Sequence, residues 1–253
     1  MLLAVNIGNS TIRFCVFDGE KSLQTWTISS KPHKSIDEYV AIFSSINHQD
    51  SLHFIDQIAI GSVVPALTQI IGLALKKIYG AEPVVVDRNS PSEITHQSNQ
   101  LGTDLYANAV AAHKYFSGNK LIIDFGTALT FSAVDKNGAF LGVVIAPGVI
   151  TALSSLTSLT AQLPDIELKK PDTILGKDTE TCMQSGMIHG YTCLVEGMIE
   201  KIKTEVNDPN LTVIVTGGLG HIFSPILQGI QTSDKLHTVR GIRILYENIL
   251  KGK

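Results

Sequence analysis

The sequence predicts an α/β protein made of two related halves, a duplicated architecture with a cleft expected between two lobes. Three observations predict it. The stretch AVNIGNSTIRFCVF (4–17) and the stretch IIDFGTALTFSAVD (122–135) share one pattern: an apolar run, a polar residue, a small turn with one glycine, and a second apolar run. Each pair runs on through a glycine turn into a third strand-like segment, giving a three-strand meander at the head of each half. Behind each meander come helical periodicities and short apolar runs of the kind found in parallel strands. The division expected from chain order is 1–117 for the first lobe and 118–253 for the second.

In the first half, strands are expected at about 2–6 and 12–17, with an Asp18-Gly19 hairpin turn leading to a third at 23–28. Ser35 and Glu38 form a capping box, followed by Ile36, Tyr39, Val40 and Phe43 at helical spacing. A buried strand is expected within 55–63, then a helix with Pro65 in its first turn and Gly80 as its stop. PVVVD (83–87) reads as a short strand and the polar stretch to about 101 as a loop. Thr103 is placed to cap an alanine-rich helix running to about 116.

The second half repeats the plan. Strands are expected at 121–125, 129–135 and, after Lys136-Asn137-Gly138, 139–147. Helices follow at 149–159 and 179–204, then the strand 211–218 entering a glycine turn with a helix behind it, and a closing amphipathic helix at 239–250.

Composition limits the function classes. With 253 residues, 44% hydrophobic and 17% charged, the chain is long enough to bury a sizeable core. A net charge of −3 gives no electrostatic reason to expect nucleic acid or an anionic membrane as partner. No apolar run reaches membrane-spanning length, and Asn6 interrupts the first one before it could act as a signal sequence. Cys15, Cys182 and Cys193 are expected as reduced core thiols of a cytoplasmic protein. His189 and Cys193 stand four apart but have no second ligand pair, which argues against a metal centre there.

The turns carry the chemistry. A D-x-G-T turn offers backbone donors and a hydroxyl around a concave anion site, and its leading carboxylate suits Mg²⁺. Two such turns facing each other would hold a nucleoside triphosphate, and no P-loop or G-x-G-x-x-G offers another phosphate loop. Asp124 ends an apolar strand just before Gly126-Thr127, where it serves either this chemistry or a turn-capping bond. Asp104 falls at a helix N-terminus, whose dipole keeps a carboxylate ionised; it serves either as an acceptor for a substrate hydroxyl proton or as an acid of the capping region. The TGG turn at 216–218 either lets a ligand lie against backbone or is simply tight.

Seven motifs, in order over nearly the whole chain, resemble those of type III pantothenate kinase, of the acetate and sugar kinase/Hsp70/actin superfamily. They are NIGNS (6–10), GSVVP (61–65), GTDLYAN (102–108), DFGTALT (124–130), GVVIAPG (142–148), GKDTETCMQSG (176–186) and TGG (216–218). The resemblance implies ribonuclease H-like lobes of the actin-like ATPase fold and phosphorylation of pantothenate by ATP, the first step of coenzyme A synthesis. It also implies Mg²⁺, a monovalent cation (K⁺ or NH₄⁺) and a homodimer. By position, Asp104 would be the catalytic base and Asp124 a metal or phosphate residue. Asn6, Gly8, Asn9, Ser10, Gly126, Thr127, Gly217 and Gly218 would line the nucleotide. Gly102, Thr103, Asp104 and Thr179 would meet pantothenate, with Thr179 reaching across the dimer interface. Capping and turn geometry are the plain alternatives for Thr179 and the glycines.

The chain departs from the family pattern at three points. Asn6 stands where an aspartate is expected, and a neutral amide cannot offset a cation's charge. Leu105 replaces an arginine, which removes an anion contact. Val143 replaces a glycine and adds bulk. Two further functions stay open: a binding or regulatory relative of the Bvg accessory factor kind, and a kinase for another small hydroxylated substrate.

Overall fold

The computed structural model describes residues 1–50 and 55–252. They form two compact units, residues 1–115 with 236–252 and residues 116–235.

The first unit is a five-stranded sheet in the order β3-β2-β1-β4-β5, with β1 (Leu2–Ile7), β2 (Thr11–Asp18), β3 (Lys21–Ser29), β4 (Gln57–Ser62) and β5 (Pro83–Val86). β1 pairs antiparallel with β2 and parallel with β4. Because β1 is central, both its faces are buried, which is why its residues read as a near-continuous apolar run. On one face Val5, Ile7, Phe14 and Val16 pack against Tyr39 and Phe43 of α1 (Ile36–Asp50) and Leu67, Ile71 and Leu75 of α2 (Pro65–Tyr79). The expected capping box starts α1: Glu38 accepts from the Ser35 amide at 2.8 Å, and the Glu38 amide donates to Ser35 Oγ at 3.3 Å. Gly80, at φ 72°, ends α2 as expected.

The remaining helices of this unit are α3 (Thr103–Tyr115) and, after the second unit, α7 (His237–Lys251). They cross so closely that a Cβ on Gly241 would strike the Ala107 backbone, and α7 also packs on β1 and β4. Chain order had assigned 118–253 to one lobe; instead the closing helix belongs with the first unit. The cause is its apolar side: Val239, Ile242 and Leu245 are fully buried there.

The second unit has the same sheet plan, β8-β7-β6-β9-β10, with β6 (Lys120–Phe125), β7 (Ala128–Val134), β8 (Phe140–Pro147), β9 (Thr212–Gly217) and the short β10 (Thr232–Ser233), which the sequence reading did not include. β6 pairs antiparallel with β7 and parallel with β9, as β1 does with β2 and β4. Leu121, Ile123, Phe125, Phe131 and Val215 pack against α4 (Val149–Leu159), α5 (Thr179–Glu205) and Phe223 of α6 (Gly220–Phe223). No helix among the described residues is long and apolar enough to cross a membrane. Of the three free cysteines only Cys15 is in a core; Cys182 and Cys193 are exposed on α5, because the face carrying them is not the one that packs on the sheet.

Candidate active site

In the first unit the register of the sheet gathers the site. Asn6, the last polar residue of β1, pairs with Arg13 on β2 and with Gly61 on β4. Gly61 in turn lies against the Thr103 methyl at the start of α3. Gly61 therefore links the head of the first hairpin, with Asn6 and Arg13, to Thr103 at the N-terminus of α3.

Thr103 is the first residue of α3 and does not cap it: the Gly102 carbonyl accepts from the Tyr106 amide at 3.0 Å, so Gly102 holds the cap position. Asp104 follows in the first turn, with its Oδ1 accepting from the Leu105 amide at 2.8 Å. Burial pushes the Asp104 carboxyl up from its ordinary value, and the bond from Leu105 opposes this only in part. The expected helix-dipole effect is thus outweighed by desolvation. The loop before α3 is pinned to it, because Tyr106 Oη donates to the Ser90 carbonyl at 2.9 Å and lies 2.7 Å from Ser92 Oγ. A cavity of about 550 Å³ opens in this unit between α2 and β5 and reaches Ser62 and Thr103.

In the second unit Asp124 pairs with Thr130 on β7 and Thr216 on β9. Strand alternation sends all three side chains to the face opposite the α4–α5 core. The Thr130 and Thr216 hydroxyls are buried there without a hydrogen-bond partner. Gly217 follows at φ 95°, and a Cβ on it would lie 2.5 Å from Asp124 Oδ1 and 2.5 Å from the Phe125 amide nitrogen. The TGG turn is therefore tight for a reason: its backbone passes directly over the carboxylate. Gly218, next along, is exposed.

The two hairpins share a plan but not a length. Three residues, Gly8-Asn9-Ser10, join β1 to β2, whereas Gly126-Thr127 joins β6 to β7. Gly8 and Gly126 spend their amides inside their own hairpins, donating to the Thr11 and Ala128 carbonyls at 3.0 and 3.1 Å. Asn9, Ser10, Gly126 and Thr127 are exposed at the tips. Thr127 is braced through its carbonyl, which accepts from the Gly148 amide and from Thr151 Oγ1.

Thr179 opens α5, exposed to solvent. It does not cap that helix: Asp178 does so, in a reciprocal box with Thr181. Capping is thus removed as an explanation for Thr179. No group of three or more His, Cys, Asp or Glu among the described residues is placed to hold a metal ion. Arg13, which sequence alone could not place, is the residue the register adds. Its signal was present as the position seven residues after Asn6, where Thr130 follows Asp124 by six.

A family profile described as type III pantothenate kinase matches residues 2–201. A type III pantothenate kinase from Agathobacter rectalis is 38% identical over 251 residues, covering 97% of this chain and 96% of the relative. Among solved structures, a Campylobacter jejuni chain described as a Baf family transcriptional activator is similar with TM-score 0.60 at 19% identity, covering 98% of this chain and 99% of that one. A ROK family glucokinase from Streptomyces griseus, solved with glucose and AMPPNP, is similar with TM-score 0.51 at 13% identity, covering 96% and 98%. At these identities the structural likeness establishes the fold, a two-lobed α/β fold shared with sugar kinases.

Proposed function

The chain belongs to the type III pantothenate kinase family, and on that premise we propose that it transfers the terminal phosphoryl group of ATP to the hydroxyl of pantothenate in the cytoplasm. The observation that carries the reading is Asp104. It is a carboxylate at the first turn of α3 whose pKa is raised by burial, the change that makes a carboxylate a better proton acceptor. In the reaction Asp104 takes the proton of the substrate hydroxyl as its oxygen bonds to the γ-phosphorus, the bond to the bridging oxygen breaks, and ADP leaves. Gly102 and Thr103 line the substrate beside it, and the cavity at Ser62 and Thr103 supplies an adjoining recess. Thr179 adds a substrate contact.

Asn6, Gly8, Asn9 and Ser10 of the first hairpin, with Gly126, Thr127, Gly217 and Gly218 of the second unit, are assigned to the nucleotide. Mg²⁺ would neutralise the phosphates, and Asp124 is the carboxylate assigned to it. One carboxylate is too few to bind Mg²⁺ alone, so phosphate and water would complete its ligands. A monovalent cation, K⁺ or NH₄⁺, would accompany Mg²⁺.

A homodimer is supported by β8. It is an edge strand, paired only with β7 among the described residues, yet Leu141, Val143, Val144 and Ile145 stand exposed on it. Apolar edge strands invite pairing with another chain.

Leu105 favours a second reading, a substrate without a carboxylate near Asp104, since no arginine follows the aspartate in this chain. A coupled assay with ATP, Mg²⁺ and K⁺ separates the two when run with pantothenate and with its neutral N-substituted amides. Turnover of pantothenate, increased in Leu105→Arg, supports the first reading. Turnover of the amides alone supports the second, and ATP binding with no turnover of either leaves the non-catalytic, regulatory relative.

A further inference from the structure

We infer that Gly102 is the positioning residue of Asp104: the space its missing side chain leaves is the space the Asp104 carboxylate occupies. A Cβ on Gly102 would lie 2.6 Å from Asp104 Oδ1, far inside van der Waals contact, while Asp104 Cγ and Val63 Cγ1 would both be at 3.8 Å. The oxygen that would be struck is the one that accepts from the Leu105 amide.

Neither the backbone nor the cap position calls for glycine in particular. Its φ is outside the left-handed region, so its backbone conformation is open to any residue. It is the N-cap of α3, where glycine is accepted about as well as Thr but Ser, Asp and Asn rank above it because their side chains satisfy the helix's first amides. Glycine forgoes that bond, and the contact with Asp104 is what it gains.

The contact also determines where a substitution would act. At Gly217 an added Cβ would strike the Phe125 backbone, so the fold itself must move. At Gly102 the struck atom is the far end of a side chain, and turning the carboxylate relieves the clash. The helix cannot slide to relieve it instead, because Gly241 holds it against α7 at Ala107. Substitution at Gly102 therefore leaves the protein folded and displaces the carboxylate. A contribution of that displacement to catalysis rests on the kinase reading above; the displacement itself does not.

The test is Gly102→Ala, with Gly102→Ser as a second variant that carries the same Cβ and adds a capping hydroxyl. Each is followed by thermal melting, by carbon-13 NMR of the aspartate carboxyls assigned against Asp104→Asn, and by the pH titration of the Leu105 amide. In the wild type the Leu105 amide follows the Asp104 carboxyl. In both variants the Asp104 carboxyl shift is expected to move and the Leu105 amide to lose its pH response, with melting close to wild type for at least one. An unmoved carboxyl shift and an unchanged Leu105 titration overturn the proposal. Where pantothenate is turned over, kcat falls about 100-fold with KM little changed, the scale expected for a misplacement of about 1 Å. A wild type without turnover overturns the kinase reading, while the NMR arm still decides the role of Gly102.

Discussion

Arg13 lies directly opposite Asn6 across the first hairpin, in the position that Thr130 holds opposite Asp124 in the second. The two turns therefore differ in charge as well as length. One pairs an amide with a guanidinium and the other pairs a carboxylate with a hydroxyl. A guanidinium attracts phosphate oxygens directly, whereas a carboxylate needs a cation between itself and a phosphate.

Arg13→Ala is accordingly expected to weaken ATP binding by about 10-fold or more, since a hydrogen bond to a charged group contributes about 1.5–3 kcal/mol. Asn6→Asp should lower ATP affinity when Mg²⁺ is absent and steepen its dependence on Mg²⁺, because the new carboxylate faces Arg13 and repels phosphate. Calorimetric titration of ATP with and without Mg²⁺ checks both. Equal affinities in wild type and Arg13→Ala would remove Arg13 from the nucleotide site.

Asp104→Asn should lower turnover by about 100- to 10,000-fold, the range for a positioned general base, with pantothenate binding largely kept. Stability should move the other way. Burial raises the folded-state pKa of Asp104, so the native chain holds more protons than the unfolded one between the ordinary and the raised value. The group favours the fold at low pH, and that contribution is lost as pH rises through the raised value. Melting curves against pH should show Asp104→Asn above wild type at pH 8 and the gap closing toward low pH. A constant gap would argue against this titration as its cause.

Gly217→Ala should destabilise the fold more than Gly102→Ser does. A non-glycine residue at such a positive φ costs of order 1–3 kcal/mol, and the Cβ would meet the Phe125 backbone besides. A loss of several degrees in melting temperature is expected, together with weaker binding of Mg²⁺·ATP as Asp124 is displaced.

Ile145→Asp on β8 should convert a dimer to a monomer in analytical ultracentrifugation, since Ile145 is 64% exposed on the edge strand of its sheet. An unaltered sedimentation coefficient would move the self-association surface elsewhere.

Most of the local structure was legible in the sequence because local rules governed it. The capping box at Ser35 and Glu38, the glycine stop of α2 and the alternation along β1 and β2 each rest on a few neighbouring residues. β10 was not legible, since two residues carry no periodicity and only pairing with β9 makes them a strand. Candidate site residues were found by motif, but their roles were not. The Gly8 and Gly126 amides donate within their own hairpins, and Gly102 rather than Thr103 holds the cap position of α3; both are relations between backbone groups that a motif does not report.

By itself the sequence determined the duplicated meander, the family motifs and the missing carboxylate at Asn6, because each is a matter of residue type and spacing along the chain. The tertiary structure alone decided that the closing helix joins the first unit, that Arg13 faces Asn6, and that Gly102 and Gly217 each leave room for a carboxylate. Those are relations across strand register and between elements brought into contact by burial of their apolar faces. Sequence spacing cannot report an approach of 2.6 Å between a position and the side chain it must not touch.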